Sequence, residues 1–312
     1  MKRLTTGVAL VAVSGLALAA MFLGQACETD QTVQKGPPVL AMLQVFNING
    51  KPFPDKDKSP FLDLLAPPAG GISSISPRLR FAAVFDRILD PTKLVTIDPD
   101  GGFVGNAGVA TVTWEMAPMG AMPITTATTY IAGGNLDTNP PGPQIAITVV
   151  PGLPAGSKIT LALDKTKITG KANEPMSGTN SFTLDTEPLS ATIGVPMAGT
   201  TVTGAFLVKV QLNNLPGPAA PAAISVTANG TPAMVAVAAD KKDPTLLIVS
   251  PAAGPGVTCS GTKCAWDDGM TFKLTVAATA SDIFGVTLAA AKTGTFMTEG
   301  IGPDGGADGS AD

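Results

Sequence analysis

Apolar and polar residues alternate along most of this chain, and this period-two pattern limits its fold more than any other feature. In one stretch, Leu79, Phe81 and Phe85 fall on one side while Arg80 falls on the other. Such alternation is typical of a β-strand with one buried and one polar face. The 35 glycines and 28 prolines are spread along the chain and supply turns between short strands. The pattern predicts an all-β protein of half-buried antiparallel strands.

The same alternation recurs in both halves of the sequence. In the first half, the other predicted inward faces are Val112, Trp114 and Met116; Ile145, Ile147 and Val149; Ile159, Leu161 and Leu163; and Phe182 and Leu184. In the second half they are Phe206, Val208, Val210 and Leu212; Ile224 and Val226; Val235 and Val237; Leu246 and Ile248; and Phe272, Leu274 and Val276. Strands of this number and length in each half predict two β-sandwiches.

Charge and composition exclude several classes of function. The 312 residues include 20 basic and 24 acidic residues, a net charge of −4, with no basic cluster beyond pairs such as Lys241-Lys242. Nucleic acid is excluded as a partner, because its binding needs a positive stripe that displaces counterions. The chain has no histidine, and it therefore lacks the usual general base near neutral pH and the commonest metal ligand.

Two segments of the sequence are repeated at a spacing near 113 residues. Residues 156–161 (GSKITL) have a counterpart in residues 269–274 (GMTFKL), and Phe182-Thr183 ahead of Glu187 is echoed by residues 296–299 (FMTE). A repeat of this length predicts two similar domains. We place the first at residues 39–188 and the second at residues 189–299, followed by a disordered acidic tail at residues 300–312.

Turn and strand motifs of the first repeat resemble those of bacterial Ig-like domains found in envelope and surface-layer proteins. They are residues 85–91 (FDRILDP), 153–157 (LPAGS), 168–175 (ITGKANEP) and 182–186 (FTLDT). The second repeat matches at residues 281–288 and 295–298 but lacks the Phe-x-x-x-x-Asp-Pro element. The resemblance implies tandem immunoglobulin-like antiparallel β-sandwiches. Such motifs mark turns and core faces, and they imply no chemistry.

The first 26 residues have the three parts of a signal peptide. Lys2 and Arg3 precede an uncharged run from Gly7 to Gly24, and small residues follow. Residues 23–27 (LGQAC) resemble the lipobox of bacterial lipoproteins, which implies lipidation of Cys27. Residues 28–38 have little apolar content, so residues 27–38 are predicted to be the lipidated cysteine and a tether. Two alternatives stay open: ordinary secretion after the rival site at residues 17–19, and an uncleaved membrane anchor, since the run has about 18 residues. All three export the remaining chain.

The three cysteines divide into a pair and a single residue. Cys259 and Cys264 are separated by four residues and can form a disulfide across a tight loop, which leaves Cys27 as the odd thiol. Acylation explains an unpaired cysteine in an exported protein. A zinc site would need further cysteines or histidines to complete four ligands. We therefore predict a Cys259–Cys264 disulfide and no metal site.

Other candidate chemistry is weaker. Residues 260–263, 281–282 and 292–294 reproduce fragments of the penicillin-binding motif set, but Ile283 breaks the middle motif and the spacing leaves no room for a helical domain. The acidic turns at residues 98–101 and 267–269 lack the downstream glutamate of a calcium loop. Trp266, beside the cysteine pair, is a candidate ligand-contact residue, the alternative being a side chain that covers the core edge.

These observations favour a non-enzymatic cell-envelope lipoprotein of the outer membrane that displays Ig-like modules for adhesion, spacing or assembly. The expected partners are the membrane, through the lipid anchor, and envelope polysaccharide or other surface proteins. The alternative is a polysaccharide- or peptidoglycan-binding module that uses Trp266. An enzyme is the third hypothesis, and the sequence offers no pair of nucleophile and base and predicts no cofactor.

Overall fold

Strands make up nearly all the regular structure of this protein. The computed structural model describes residues 36–47, 62–66, 74–97, 103–116, 120–132, 143–197 and 200–300. Within these ranges the only helical elements are two short 3₁₀ turns, Pro91–Lys93 and Pro221–Ala223. The predicted all-β class is therefore confirmed. The predicted signal peptide, Cys27, the acidic turn that begins at Asp98, and the tail beyond Gly300 lie outside the described residues.

The first half of the chain contributes ten strands. They are β1 (Leu40–Asn47), β2 (Leu62–Asp63), β3 (Leu79–Phe85), β4 (Val95–Ile97), β5 (Phe103–Gly105), β6 (Ala110–Met116), β7 (Gly120–Ile131), β8 (Gln144–Val150), β9 (Lys158–Leu163) and β10 (Ser181–Asp185). Eight of them are connected in the order β10-β9-β6-β7-β8-β3-β1-β2, while β4 and β5 form a separate hairpin.

Strand β7 belongs to two layers. Its first residues, Gly120–Ile124, pair with β6, and residues 125–131 pair with β8. The two layers enclose one hydrophobic core, to which each side contributes. Among its buried members are Leu43, Phe81, Val112, Ile147 and Leu161. These strands therefore form a first antiparallel sandwich.

The second half contributes eleven strands. They are β11 (Ala191–Gly194), β12 (Thr201–Val202), β13 (Val208–Leu212), β14 (Ile224–Ala228), β15 (Thr231–Ala233), β16 (Val235–Ala239), β17 (Leu246–Pro251), β18 (Val257–Ser260), β19 (Lys263–Trp266), β20 (Thr271–Val276) and β21 (Lys292–Thr298). One sheet has the order β11-β13-β17-β16 and the other β12-β21-β20-β14-β15, with β18 and β19 as a separate hairpin. Val210, Val226, Val249, Leu274 and Phe296 belong to the shared core of this second sandwich.

Matching hydrogen bonds support the internal repeat. The Leu153 N–H donates to the Pro77 carbonyl at 2.9 Å, and the Trp266 N–H donates to the Gly204 carbonyl at 2.8 Å. The hydroxyls of Thr186 and Thr298 likewise donate to the carbonyls of Pro154 and Asp267, each at 2.6 Å. Equivalent residues therefore make equivalent contacts in the two sandwiches, although the described residues of the first sandwich contain no counterpart of the hairpin β18–β19.

The predicted inward faces are confirmed for most strands and wrong for β17. In β3, Leu79, Phe81 and Phe85 are buried while Arg80 is exposed. In β17, Leu247 and Val249 face the core, whereas the predicted Leu246 and Ile248 are only half-buried. The run of four apolar residues at 246–249 has no alternation, so the pattern could not determine which parity faces inward.

The last residues of the predicted tether are part of the fold. Pro38 is buried, and its carbonyl accepts a hydrogen bond from the Ser177 N–H at 3.0 Å. The Val39 N–H donates to Asp86 Oδ1 at 2.8 Å. The chain therefore enters the first sandwich between the loops that hold Asp86 and Ser177.

The described residues from Pro37 onward belong to one compact unit that contains both cores. Most members of the first core precede those of the second in the chain, but Ala155, from the first half, belongs to the second core. The two sandwiches therefore share a buried boundary. The division into domains at residue 188 stays a prediction.

Candidate functional site

Trp266 lies inside the second core, so its interpretation as an accessible ligand contact is wrong. The side chain is 1% exposed and packs against Phe272 and Phe296, with ring centroids 4.9 and 5.6 Å away. Its indole N–H donates to the Phe206 carbonyl at 2.7 Å, which satisfies the one polar group of the ring. Buried on all sides, the ring offers no face on which a sugar could stack.

Cys259 and Cys264 form the predicted disulfide. Their Sγ atoms lie 2.07 Å apart, and the two residues face each other across the hairpin β18–β19. The tip of this hairpin, residues 260–263, is exposed. Trp266 ends β19, so the hairpin is rooted in the second core through that side chain. The disulfide therefore closes a local loop beside the core.

A buried polar cluster forms where the two sandwiches meet. Asp282, in the loop between β20 and β21, is 1% exposed, and Asn214, in the loop after β13, is fully buried. The Asn214 Nδ2 donates to Asp282 Oδ2 at 2.9 Å and to the Leu153 carbonyl of the first sandwich at 2.8 Å. The Ala155 N–H, also from the first sandwich, donates to Asp282 Oδ2 at 3.1 Å. We call Asp282, Asn214, Leu153 and Ala155 the joint cluster.

Local backbone donors complete the environment of the Asp282 carboxylate. Its Oδ1 accepts hydrogen bonds from the N–H groups of Phe284 and Val286, both at 2.9 Å. A carboxylate has about four acceptor positions, and four N–H groups occupy them here. Hydrogen bonds to an ionised acceptor are strong and offset the cost of burying a charge. The carboxylate is thus saturated by the protein and suited to holding loops together.

Two further contacts surround the joint cluster. Arg78, which directly precedes β3, lies 3.5 Å from Asp243 and donates to the Thr245 hydroxyl at 3.3 Å. The rings of Trp114 and Phe284 meet edge to face, with centroids 6.0 Å apart. Trp114 is half-buried, so its predicted place in the first core is correct for only part of the ring. Apolar and charged contacts therefore flank the buried polar centre.

A shallow cleft of about 420 Å³ lies between the hairpin β4–β5 and the second half of β7. Its lining residues are Val104–Gly108 and Thr126–Thr129, none of which is ionisable. Glycine is required at position 105, because a Cβ there would lie 1.8 Å from the Thr128 carbonyl oxygen. The Thr128 hydroxyl is buried without a hydrogen-bond partner. The cleft offers hydroxyl and backbone groups and no acid or base.

The acidic turn at residues 267–269 shows no complete set of calcium ligands, and the turn at residues 98–101 lies outside the described residues. In the described residues, no three His, Cys, Asp or Glu side chains lie close enough together to hold a metal ion. The Asp267 Oδ1 instead accepts a hydrogen bond from the Thr258 hydroxyl at 2.7 Å, and Gly269 follows with φ of 66°. Asp267 and Gly269 thus serve a tight turn.

The sequence patterns did not predict the joint cluster. The sequence motifs assigned Asp282 to a fragment of a catalytic motif and to a turn of the Ig-like resemblance, and they assigned Asn214 no role. A signal does exist in the repeat: Asp282 follows the same strand as Gly170, and the two positions can be compared once the strands are aligned. A charged residue that replaces glycine in one repeat, within an otherwise apolar segment, points to a contact specific to that repeat.

The sequence matches no protein-family model and no curated protein. The resemblance to bacterial Ig-like domains therefore stays a prediction. Within the ranges that the structure covers, helices with the length and hydrophobicity to cross a membrane are absent.

Proposed function

We propose that this chain is a non-enzymatic cell-envelope lipoprotein that displays two Ig-like sandwiches for adhesion, spacing or assembly. The observation that carries the proposal is the joint cluster, in which a buried carboxylate and a buried amide connect the two sandwiches. These polar groups are saturated with internal hydrogen bonds and hold surfaces in fixed positions. A protein that spaces or presents a surface needs such a joint.

The strand order supports the Ig-like assignment. Constant-type immunoglobulin domains have the sheets A-B-E-D and C-F-G. In the first sandwich, β1-β3-β8 and the second half of β7 follow the first order, and β6-β9-β10 follow the second. In the second sandwich, the corresponding sets are β11-β13-β17-β16 and β14-β20-β21. The same order in both halves also supports two domains with a boundary at residue 188.

The position of the chain entry supports display away from a membrane. Arg78 at the joint and Asp86 at the chain entry flank opposite ends of β3, a strand of seven residues. The two ends are therefore roughly 20 Å apart. Val39, where the described chain enters the first sandwich, is therefore at the end remote from the joint. This entry point fits an anchor that precedes Val39 in the chain and a second sandwich that is displayed.

The alternative of a polysaccharide-binding module loses its main support. It depended on an accessible Trp266, and this ring is buried in the second core.

Mass spectrometry of the native N-terminus tests the anchor. The proposal predicts a diacylglyceryl group on Cys27, recovery of the protein in the membrane fraction, and release of a Cys27→Ser variant into the soluble fraction. A mature N-terminus at Ala20, or an intact Met1, would contradict the lipoprotein. Catalytic turnover that persists through purification would contradict the non-enzymatic function.

A further inference from the structure

The turn after β20, which contains Asp282, is equivalent to the turn after β9 in the first sandwich, but the two turns differ at the position of Asp282. The Gly170 N–H donates to the Glu174 carbonyl at 3.0 Å, and the Asp282 N–H donates to the Val286 carbonyl at 2.9 Å. Each turn also forms an antiparallel bridge to the loop after an equivalent strand. Gly170 bridges to Leu89, after β3, and Asp282 bridges to Pro216, after β13. Gly170 and Asp282 are therefore equivalent, and only the one at the joint has a side chain that reaches across.

Asn214 has a different counterpart in the first sandwich. Asp86 and Asn213 are equivalent, because each accepts a hydrogen bond at the start of its sandwich, from the N–H of Val39 and of Ser190. The next residues are Arg87 and Asn214. Arg87 pairs with its neighbour Asp86 at 2.7 Å, whereas Asn214 is buried and bonds across the joint. The turn contact is shared by the two sandwiches, but of the two equivalent residues only Asn214 makes a bond across the joint.

The contact between the rings of Trp114 and Phe284 is also confined to the two ends that meet at the joint. Phe284 follows Asp282 by two residues, and the residue two places after Gly170 is Ala172. Trp114 pairs with Ile159 on β9, and the residue at the same place opposite β20 is Ala228, which pairs with Phe272. Both aromatic rings are thus replaced by alanine at the ends that do not meet.

Arg78, at the joint, is also replaced by a small residue at the equivalent position of the second sandwich. It follows Pro77, whose equivalent is Gly204, and the residue after Gly204 is Ala205. Five side chains of the joint therefore sit at one of the two facing ends and are absent from the equivalent free end. They are Arg78, Trp114, Asn214, Asp282 and Phe284. A linker between independent domains would need none of them.

We infer that Asp282 acts as a latch that makes the two sandwiches a single cooperative unit. Its carboxylate connects one loop of the second sandwich to Asn214 in another loop and to the Ala155 backbone of the first. Removing the carboxylate leaves the N–H groups of Ala155, Phe284 and Val286 without their buried acceptor, which is costly. The inference holds whether or not the protein is anchored in an envelope.

Calorimetry of the full chain tests the latch. The wild-type protein should unfold in one transition whose van't Hoff and calorimetric enthalpies agree, with coincident midpoints by tryptophan fluorescence and circular dichroism. In Asp282→Ala, the transition should separate into two, the lower one reduced by at least about 5 °C. Asp268→Ala is the matched control, since Asp268 is exposed and makes no contact with the joint. It should behave as the wild type does.

Two further variants protect the test against a general failure to fold. Asn214→Ala and Phe284→Ala each remove one joint contact and leave the Asp282 carboxylate in place. Each should also separate the transitions, by a smaller shift. Two independent transitions in the wild type, or one unchanged transition in Asp282→Ala, would overturn the inference. A misfolded Asp282→Ala beside wild-type behaviour of the other two variants would overturn it as well.

Discussion

Several aspartate side chains at the start of loops accept hydrogen bonds from residues of the same loop. Asp90, Asp164 and Asp243 each accept hydrogen bonds from the backbone N–H and the hydroxyl of the threonine two residues later. Asp-x-Thr therefore recurs as a turn that satisfies its own backbone. These carboxylates therefore stabilise their own loops, and Asp243 in addition pairs with Arg78 at the joint.

Stability should fall in acid. A hydrogen bond from the Arg87 side chain lowers the pKa of Asp86, and the Thr166 and Thr245 hydroxyls lower the pKa of Asp164 and Asp243, all from an ordinary value of 3.8. A group with a lowered pKa stabilises the fold above its unfolded value and loses this contribution as the pH falls through the folded value. The free energy of unfolding, measured by urea titration, should therefore decline below pH 4. A flat profile from pH 5 to pH 2 would contradict this assignment.

Replacing Trp266 should affect stability. Trp266→Ala is expected to lower the free energy of unfolding by about 3–5 kcal/mol, because it empties the centre of the second core. Trp266→Phe keeps most of the packing and loses the hydrogen bond to Phe206, so a cost of about 1 kcal/mol is expected. Urea unfolding measures both. A variant of unchanged stability that loses glycan binding would restore the contact-residue hypothesis.

At the scale of elements, β17 shows where periodicity ceases to be informative. Alternation identified β20 with the correct face, since a polar residue separates each pair of its apolar ones, whereas in β3 only Arg80 does so and Ala82 and Val84 are also buried. Residues 246–249 are all apolar, so both parities fit the sequence equally well. Pairing with β13 and β16 selects Leu247 and Val249 as the inward residues. That choice depends on tertiary contacts and could not be made from the strand alone.

Alanine substitutions in β17 test its register. Leu247→Ala should lower the free energy of unfolding by about 2–5 kcal/mol, because its side chain is buried. Ile248→Ala should cost under about half as much, since Ile248 is half-buried on the opposite face. The two neighbours are matched in size and strand, and chemical denaturation compares them directly. A larger cost at Ile248 would mean that the register is shifted by one residue.

The disulfide hairpin should contribute locally. Replacing Cys259 and Cys264 together by serine should lower the free energy of unfolding by about 2 kcal/mol, the chain-entropy value for so short a loop. Because Trp266 is anchored in the core by its own contacts, its fluorescence maximum should stay that of a buried indole. A shift of this maximum to that of a solvated indole, without unfolding, would show that the hairpin holds Trp266 in place.

For the whole molecule, the sequence predicts the fold of each sandwich but gives little information on the contacts between the two. The repeat and the alternation predict two similar β bodies, and the matching bonds of Thr186 and Thr298 support this organisation. The joint depends on Asp282 and Ala155, which are 127 residues apart in the chain. A contact between such distant residues leaves no periodic pattern. Only differences between equivalent positions of the repeat, such as Gly170 and Asp282, indicate it.

Hydrogen–deuterium exchange of the wild-type full chain tests the joint most directly. The amides of Ala155, Phe284 and Val286 donate to the buried Asp282 carboxylate, so they should exchange as slowly as those of the core strands β9 and β20. The exposed hairpin tip at residues 260–263 is the internal reference for fast exchange. Exchange of the three joint amides at the rate of this tip would contradict a buried connection between the two sandwiches.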